Sequence, residues 1–213
     1  MNIALIGATG FVGSAVLDEL LQRGHRVTVL ARNPGKLTAR EGLSVVATDA
    51  QDAAQIAKAA AGHDAVVSAY NPGWTVPDIH DQFLKGTRAI IDGTKQAGVR
   101  RLLVVGGAGS LFVAPGVQLV DAPEFPAEWK QGALAAREAL NWIRTENTLD
   151  WTFLSPPILL APGERTGKYR LGTEAPLMNG DAPGGISVTD LAVAIADELE
   201  TPRHVQQRFT VAH

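Results

Sequence analysis

The chain has 213 residues, with 19 Lys and Arg against 22 Asp and Glu and a formal net charge of -3, so it carries no overall electrostatic pull toward nucleic acid or an anionic membrane. It contains no cysteine, which excludes disulfides and thiolate metal sites. The length suits one α/β domain, no apolar run is long enough to cross a bilayer, and the N-terminus lacks signal-peptide regions; the expectation is a cytoplasmic protein.

Asn2 to Ile6 is a short apolar run fit for a buried strand. Gly7, Gly10 and Gly13 punctuate the turn after it, with Thr9, Phe11 and Val12 between them, and Val12, Val16, Leu17 and Leu20 then recur at helical spacing. A second strand at Arg26 to Leu30 completes the order of a βαβ unit. Glycines at this turn permit a tight bend, close approach of a phosphate to the backbone, and close packing of the helix on the sheet. Unpaired N–H groups and the positive end of the helix dipole then hold a pyrophosphate. The stretch is a nucleotide cradle.

The second strand ends in Ala31, Arg32 and Asn33, where a site selective for NAD places Asp or Glu on the ribose hydroxyls. A guanidinium there grips the extra phosphate of NADP through paired, charge-assisted hydrogen bonds. NADP(H) is therefore the expected cofactor, preferred over NAD(H), with Arg32 as the main contact and Asn33 or Lys36 assisting. A solvated loop arginine is the plainer alternative.

Leu43 to Ala47 reads as a third strand with Asp49 just beyond it, and Asp52 begins an alanine-rich helix to Ala61 as the better of the two caps. Ala65 to Ala69 is the fourth strand. The crevice beside the first strand opens there because the sheet order reverses, which makes Ala69, Tyr70 and Trp74 candidate walls for a flat ligand; ordinary packing is the competing role. A helix from Asp78 to Ala97 carries His80, which has no second ligand at metal spacing, so no metal site is expected. Arg101 to Val105 is the fifth strand, and Gly106, Gly107 and Gly109 let the backbone approach a ligand, delivering the Ser110 hydroxyl and Leu111 beyond the sheet edge.

A helix spans Ala127 to Arg144, and Asp150 to Leu154 is the sixth strand, leading into Ser155, Pro156 and Pro157. Residues 155–187 are rich in Pro and Gly, hold one short strand candidate at Gly167 to Leu171, and fit a small substrate-covering lobe within a single domain of residues 1–213. A last helix runs from Val188, Thr189 and Asp190 to Leu199, capped by Thr189 or Asp190, and Gln207 to Val211 is a last strand. The alternation describes a doubly wound parallel sheet with helices on both faces.

Several stretches carry a family resemblance that spans nearly the whole chain: Gly7 to Gly13, Val104 to Leu111, Leu149 to Pro157, Pro162 to Gly167, and Ile186 to Ala192. Through them the chain resembles the atypical short-chain dehydrogenases/reductases with NAD(P)H-binding domains, grouped with NmrA-like proteins and with the biliverdin reductase B type of flavin reductase. Small bacterial proteins described as NADH-flavin reductases are similar too. The resemblance implies a Rossmann fold and a pyridine nucleotide. It also implies that Asp49 bonds the adenine amino group, although a capping role is open to that residue.

In the superfamily a serine at the position of Ser110 orients the substrate, and a Tyr-x-x-x-Lys pair follows on the next helix, where tyrosine donates a proton and lysine lowers its pKa. Here the two slots hold Lys130 and Leu134, and no tyrosine lies between Tyr70 and Tyr169. Carbonyl reduction and epimerisation by the tyrosine route are disfavoured. Hydride transfer to a free flavin (FMN or FAD) or a quinone needs no positioned acid, and this is the reading adopted. On it Ser110 faces the nicotinamide, Tyr70 and Pro156 form apolar walls, Trp74 and Leu111 meet the acceptor, and Arg165 or Lys168 faces an FMN phosphate. The alternative is a non-catalytic, NADP(H)-sensing regulator, as NmrA-like proteins without the dyad are thought to be. A monomer or homodimer with a small-molecule acceptor, and neither nucleic acid nor membrane, is expected on either reading.

Overall fold

The computed structural model describes residues 1–213, the side chain of Lys36 excepted. Eight strands form one sheet: β1 (Asn2–Ile6), β2 (Arg26–Ala31), β3 (Leu43–Ala47), β4 (Ala65–Ser68), β5 (Arg101–Val105), β6 (Asp150–Ser155), β7 (Arg170–Gly172) and β8 (Gln207–Ala212). The order across the sheet is β7-β8-β6-β5-β4-β1-β2-β3, and every pairing is parallel except β7 with β8. A parallel sheet has to be covered on both faces. The central strands accordingly lack polar alternation: β4 and β5 are buried throughout.

Five helices supply the cover: α1 (Phe11–Gln22), α2 (Ala53–Ala60), α3 (Ile79–Gln96), α4 (Ala127–Ile143) and α5 (Val188–Glu200). One core packs α1 and α5 against the sheet through Val16, Leu17, Leu20, Leu191 and Ile195. The other packs α2, α3 and the end of α4 on the opposite face through Ile56, Ile90, Leu140, Ile143 and Phe153. Because β1 is flanked by β2 on one side and β4 on the other, the connections leave in opposite directions there. The C-terminal ends of β1 and β4 therefore bound an open crevice.

Asp52 caps α2 as expected, its carboxylate accepting from the backbone N–H groups of Ala54 and Gln55. At α5 the expectation was off by a turn residue. Ser187 is the cap, its Oγ accepting from the Asp190 N–H, while Thr189 bonds the Gly163 carbonyl. Asp190 faces inward, accepting from the Thr166 and Gly167 N–H groups. The strand expected at Gly167 to Leu171 forms later, at Arg170–Gly172, and joins the main sheet. Residues 159–161 pair with 185–187 as a separate parallel ribbon.

Candidate functional site

The glycine turn is built by contact. Gly7 has φ +86, and a Cβ there would lie 2.3 Å from the Ala69 carbonyl oxygen; at Gly13 a Cβ would lie 2.0 Å from the Gly7 carbonyl oxygen. Only glycine lets α1 start this close to β1 and β4. Gly10 differs, since its nearest obstacle is 3.4 Å away. It begins α1 with no side-chain cap, so the amides that follow it have no capping partner. With Phe11 and Val12 it lines the crevice. An uncapped helix start beside an open crevice fits a pyrophosphate.

At the outer end, Arg32, Asp49, Gln51, Tyr70 and Gln82 line a cleft of about 200 Å³. Asp49 is exposed and accepts from the Gln51 N–H at 3.0 Å. It does not cap α2. Gln51 Nε2 donates to Gln82 Oε1 at 2.6 Å and to the Tyr70 hydroxyl at 3.3 Å, and that hydroxyl donates to the Gln82 carbonyl. Arg32 is exposed at the end of β2. Asn33 is exposed at the start of a short turn, Pro34–Lys36, without capping it. The assistance expected of the Lys36 side chain lies outside the described residues.

Toward the sheet's other half the crevice widens into a cavity of about 710 Å³. Its cradle side is formed by Gly10, Phe11, Ala69, Gly106, Gly107 and Pro156. Its far side is aromatic and aliphatic: Trp74, Phe83, Phe125, Trp129, Ile158 and Leu160. Trp74 was expected there. Trp129 and Phe125 were not, although α4 carries a readable signal, because Trp129, Gly132, Ala133 and Ala136 follow one helical stripe and all four line the cavity.

Two expected contacts are displaced. Ser110 is 2% exposed and Leu111 fully buried, so neither faces the cavity. The loop turns Ser110 under its own glycines, where Arg208 Nη1 donates to the serine Oγ and carbonyl at 3.3 and 3.4 Å. Arg208 also donates to Ser155 Oγ at 3.3 Å and pairs with Glu174. Arg165 is turned away as well. It binds the buried Glu19 on α1 through two hydrogen bonds of 2.7 and 2.9 Å, and those bonds, foremost among the causes, hold the Glu19 carboxyl below its ordinary range.

Residues 7–202 match the NAD(P)H-binding family. The chain belongs to that family. Among relatives of this NAD(P)H-binding protein, the uncharacterized protein YwnB of Bacillus subtilis is 40% identical over 215 residues, covering 99% of this chain and 98% of its own length. The "putative epimerase" of Bacteroides thetaiotaomicron superposes with a TM-score of 0.93 at 45% identity, covering 100% of this chain and 96% of that one. A "putative NADH-flavin reductase" of Streptococcus pneumoniae superposes with a TM-score of 0.85 at 34% identity, covering 100% and 99%.

In this NAD(P)H-binding protein α4 presents the cavity with an indole, a glycine and two alanines, and no proton donor. Among the described residues lining the cavity only Tyr70 and Glu124 are titratable. Burial, the main cause, pushes the Tyr70 phenol above its ordinary range, and its hydroxyl is committed to Gln51 and Gln82 in the outer cleft. Tyr169 lies apart from the cavity with its hydroxyl on Asp197. No helix is long and apolar enough to cross a membrane.

Proposed function

We propose that this protein is an NADPH-dependent reductase that delivers hydride to a free flavin or quinone. The observation that carries this is the cavity of about 710 Å³ that runs from the glycine cradle to an aromatic and aliphatic far wall, where α4 offers no acid. A sensor needs only the cradle; an aromatic far wall continuous with it suits a second, flat reactant. Bound NADPH supplies the hydride, and the acceptor takes its remaining proton from solvent.

The chain's own part is binding and orientation. The amides of Phe11, Val12 and Gly13 hold the pyrophosphate, with Gly7, Thr9 and Gly10 shaping the turn. Arg32, with Asn33 beside it, binds the additional ribose phosphate, and Asp49 accepts from the adenine amino group. Ala69, Tyr70, Gly106, Gly107 and Pro156 flank the nicotinamide, and Trp74 with Trp129 stacks the acceptor at reactive distance. Ser110 acts from below, through the loop it anchors. A reductase that draws on a reduced nicotinamide pool belongs with that pool, in the cytoplasm.

The test is anaerobic loss of reduced-nicotinamide absorbance with NADPH or NADH against FMN and a quinone. Saturable turnover above the uncatalysed rate, faster with NADPH, is the expected result. Tight NADPH binding with no acceptor reduced would transfer the assignment to an NADP(H)-sensing regulator.

A further inference from the structure

The acceptor end of the cavity has a charge character that narrows its ligand. Resting on the reductase reading, we infer that the acceptor is a flat, uncharged aromatic, of the quinone or unphosphorylated isoalloxazine class, and that phosphate-bearing flavins are selected against. Trp74 and Trp129 are 56% and 52% exposed, and with Phe83, Phe125 and Ile158 they make an apolar slot. Indoles that are half exposed gain from covering a flat apolar surface.

A phosphate entering the same space meets the wrong charge. Among the described residues that line the cavity, the one charged group is the Glu124 carboxylate. Of the cations on neighbouring elements, Lys85 and Lys130 are exposed on α3 and α4 and are not among the residues that line the cavity, and the arginines are engaged elsewhere. Arg165 is held by Glu19, Arg137 by Asp121 at 2.7 Å, and Arg88 lies 4.5 Å from the centre of the Trp142 ring. Arg208 is buried beneath Ser110 against Glu174. An FMN phosphate seated here would give up water for an apolar wall and a like charge, without a guanidinium in return. A quinone or lumiflavin loses no such solvation. The reaction balances with the acceptor gaining a hydride from the reduced nicotinamide and one proton from solvent, giving a hydroquinone or dihydroflavin while the nicotinamide is oxidised.

Lumiflavin, riboflavin and FMN share one reactive ring and differ in the tail, so the series isolates the charge. With saturating NADPH under anaerobic conditions, kcat/KM for lumiflavin and riboflavin is expected to exceed that for FMN by about tenfold, the scale of one unpaired charge contact near a surface. Glu124→Lys and raised salt should both narrow the ratio. FMN used as well as lumiflavin, or a ratio that Glu124→Lys leaves unmoved, overturns the inference. Equilibrium dialysis of lumiflavin and FMN against the NADP⁺-loaded protein decides the same preference without turnover. Tighter lumiflavin binding with no reduction of any acceptor would reject the reductase reading and leave the uncharged ligand standing; equal binding, or binding of neither, would reject the uncharged ligand.

Discussion

Trp74 rests against the backbone of Gly132: a Cβ at that glycine would lie 2.7 Å from Trp74 Cζ3. α4 therefore lacks a side chain at the point where the indole of the β4–α3 loop crosses it, and the wall of the cavity depends on that gap. Gly132→Ala should push the half-exposed Trp74 outward; it also crowds the buried Ile79, whose Cδ1 would lie 3.1 Å from the new Cβ, so a modest fall in melting temperature is expected. Loss of one stacking wall is worth about 1 kcal/mol. Acceptor kcat/KM should fall several-fold, while NADPH affinity measured by fluorescence titration stays near the native value. A variant with unimpaired acceptor kinetics would remove Trp74 from the site.

On the proposed reading, cofactor choice turns on Arg32. The residue is exposed beside the outer cleft, with Asp49 on the same rim. Arg32→Asp replaces a charge-assisted pair with a repulsion, and each such contact contributes about 1.5–3 kcal/mol. NADPH should then bind at least about tenfold more weakly, with NADH affinity unchanged or improved. An unaltered ratio of the two dissociation constants would show that Arg32 is a solvated loop residue.

The parts of this molecule that were legible in its sequence are those decided locally. The glycine turn, the apolar strands and the Asp52 cap each depend on neighbours within a few positions, and β3 and β5 form over the expected residues. What escaped was decided at long range. Ser110 follows a glycine run that looks made to expose it, yet Arg208, 98 residues later, reaches under the loop and holds it inward. Arg165 reads as a free cation until Glu19, 146 residues earlier, is found beside it. The α4 stripe from Trp129 to Ala136 was a different case. Its period was visible, but helical periodicity alone does not separate a face that meets a core from one that meets a cavity.

Arg208 should matter for the loop it braces rather than for chemistry. Its side chain is fully buried, and its partner Glu174 is 45% exposed; burial pushes the Glu174 carboxyl up, while bonds from Arg208 and Arg144 outweigh this and hold it below the ordinary range. Arg208→Met leaves the Ser110 and Ser155 hydroxyls without that donor and leaves Glu174 paired with Arg144 alone. The expected cost is about 2 kcal/mol, read as a lower denaturant midpoint. Turnover should fall mainly through kcat, because the displaced glycine loop misplaces reactants that still bind. An unchanged midpoint together with an unchanged kcat would contradict this.

Acid stability should depend visibly on Glu146, in the turn after α4. Burial raises its pKa, but bonds from Lys95 Nζ at 2.8 Å, the Thr148 hydroxyl and the Thr148 N–H at 2.6 Å prevail and bring it from 4.5 down to about 2. A carboxyl with a lower pKa in the folded state than in the unfolded one stabilises the fold fully above the unfolded value, and that stabilisation is lost as pH falls through the folded value. The window for Glu146 therefore runs from 4.5 down to about 2. Glu146→Gln should cost on the order of 1–3 kcal/mol at neutral pH. The gap between the native and variant melting temperatures should close progressively as the solution is acidified through that window. Other depressed carboxylates, Asp190 among them, lower both curves alike, so the difference between the curves is the quantity to measure. Melting curves that stay parallel down to about pH 2.5 would mean that Glu146 contributes no pH-dependent stability.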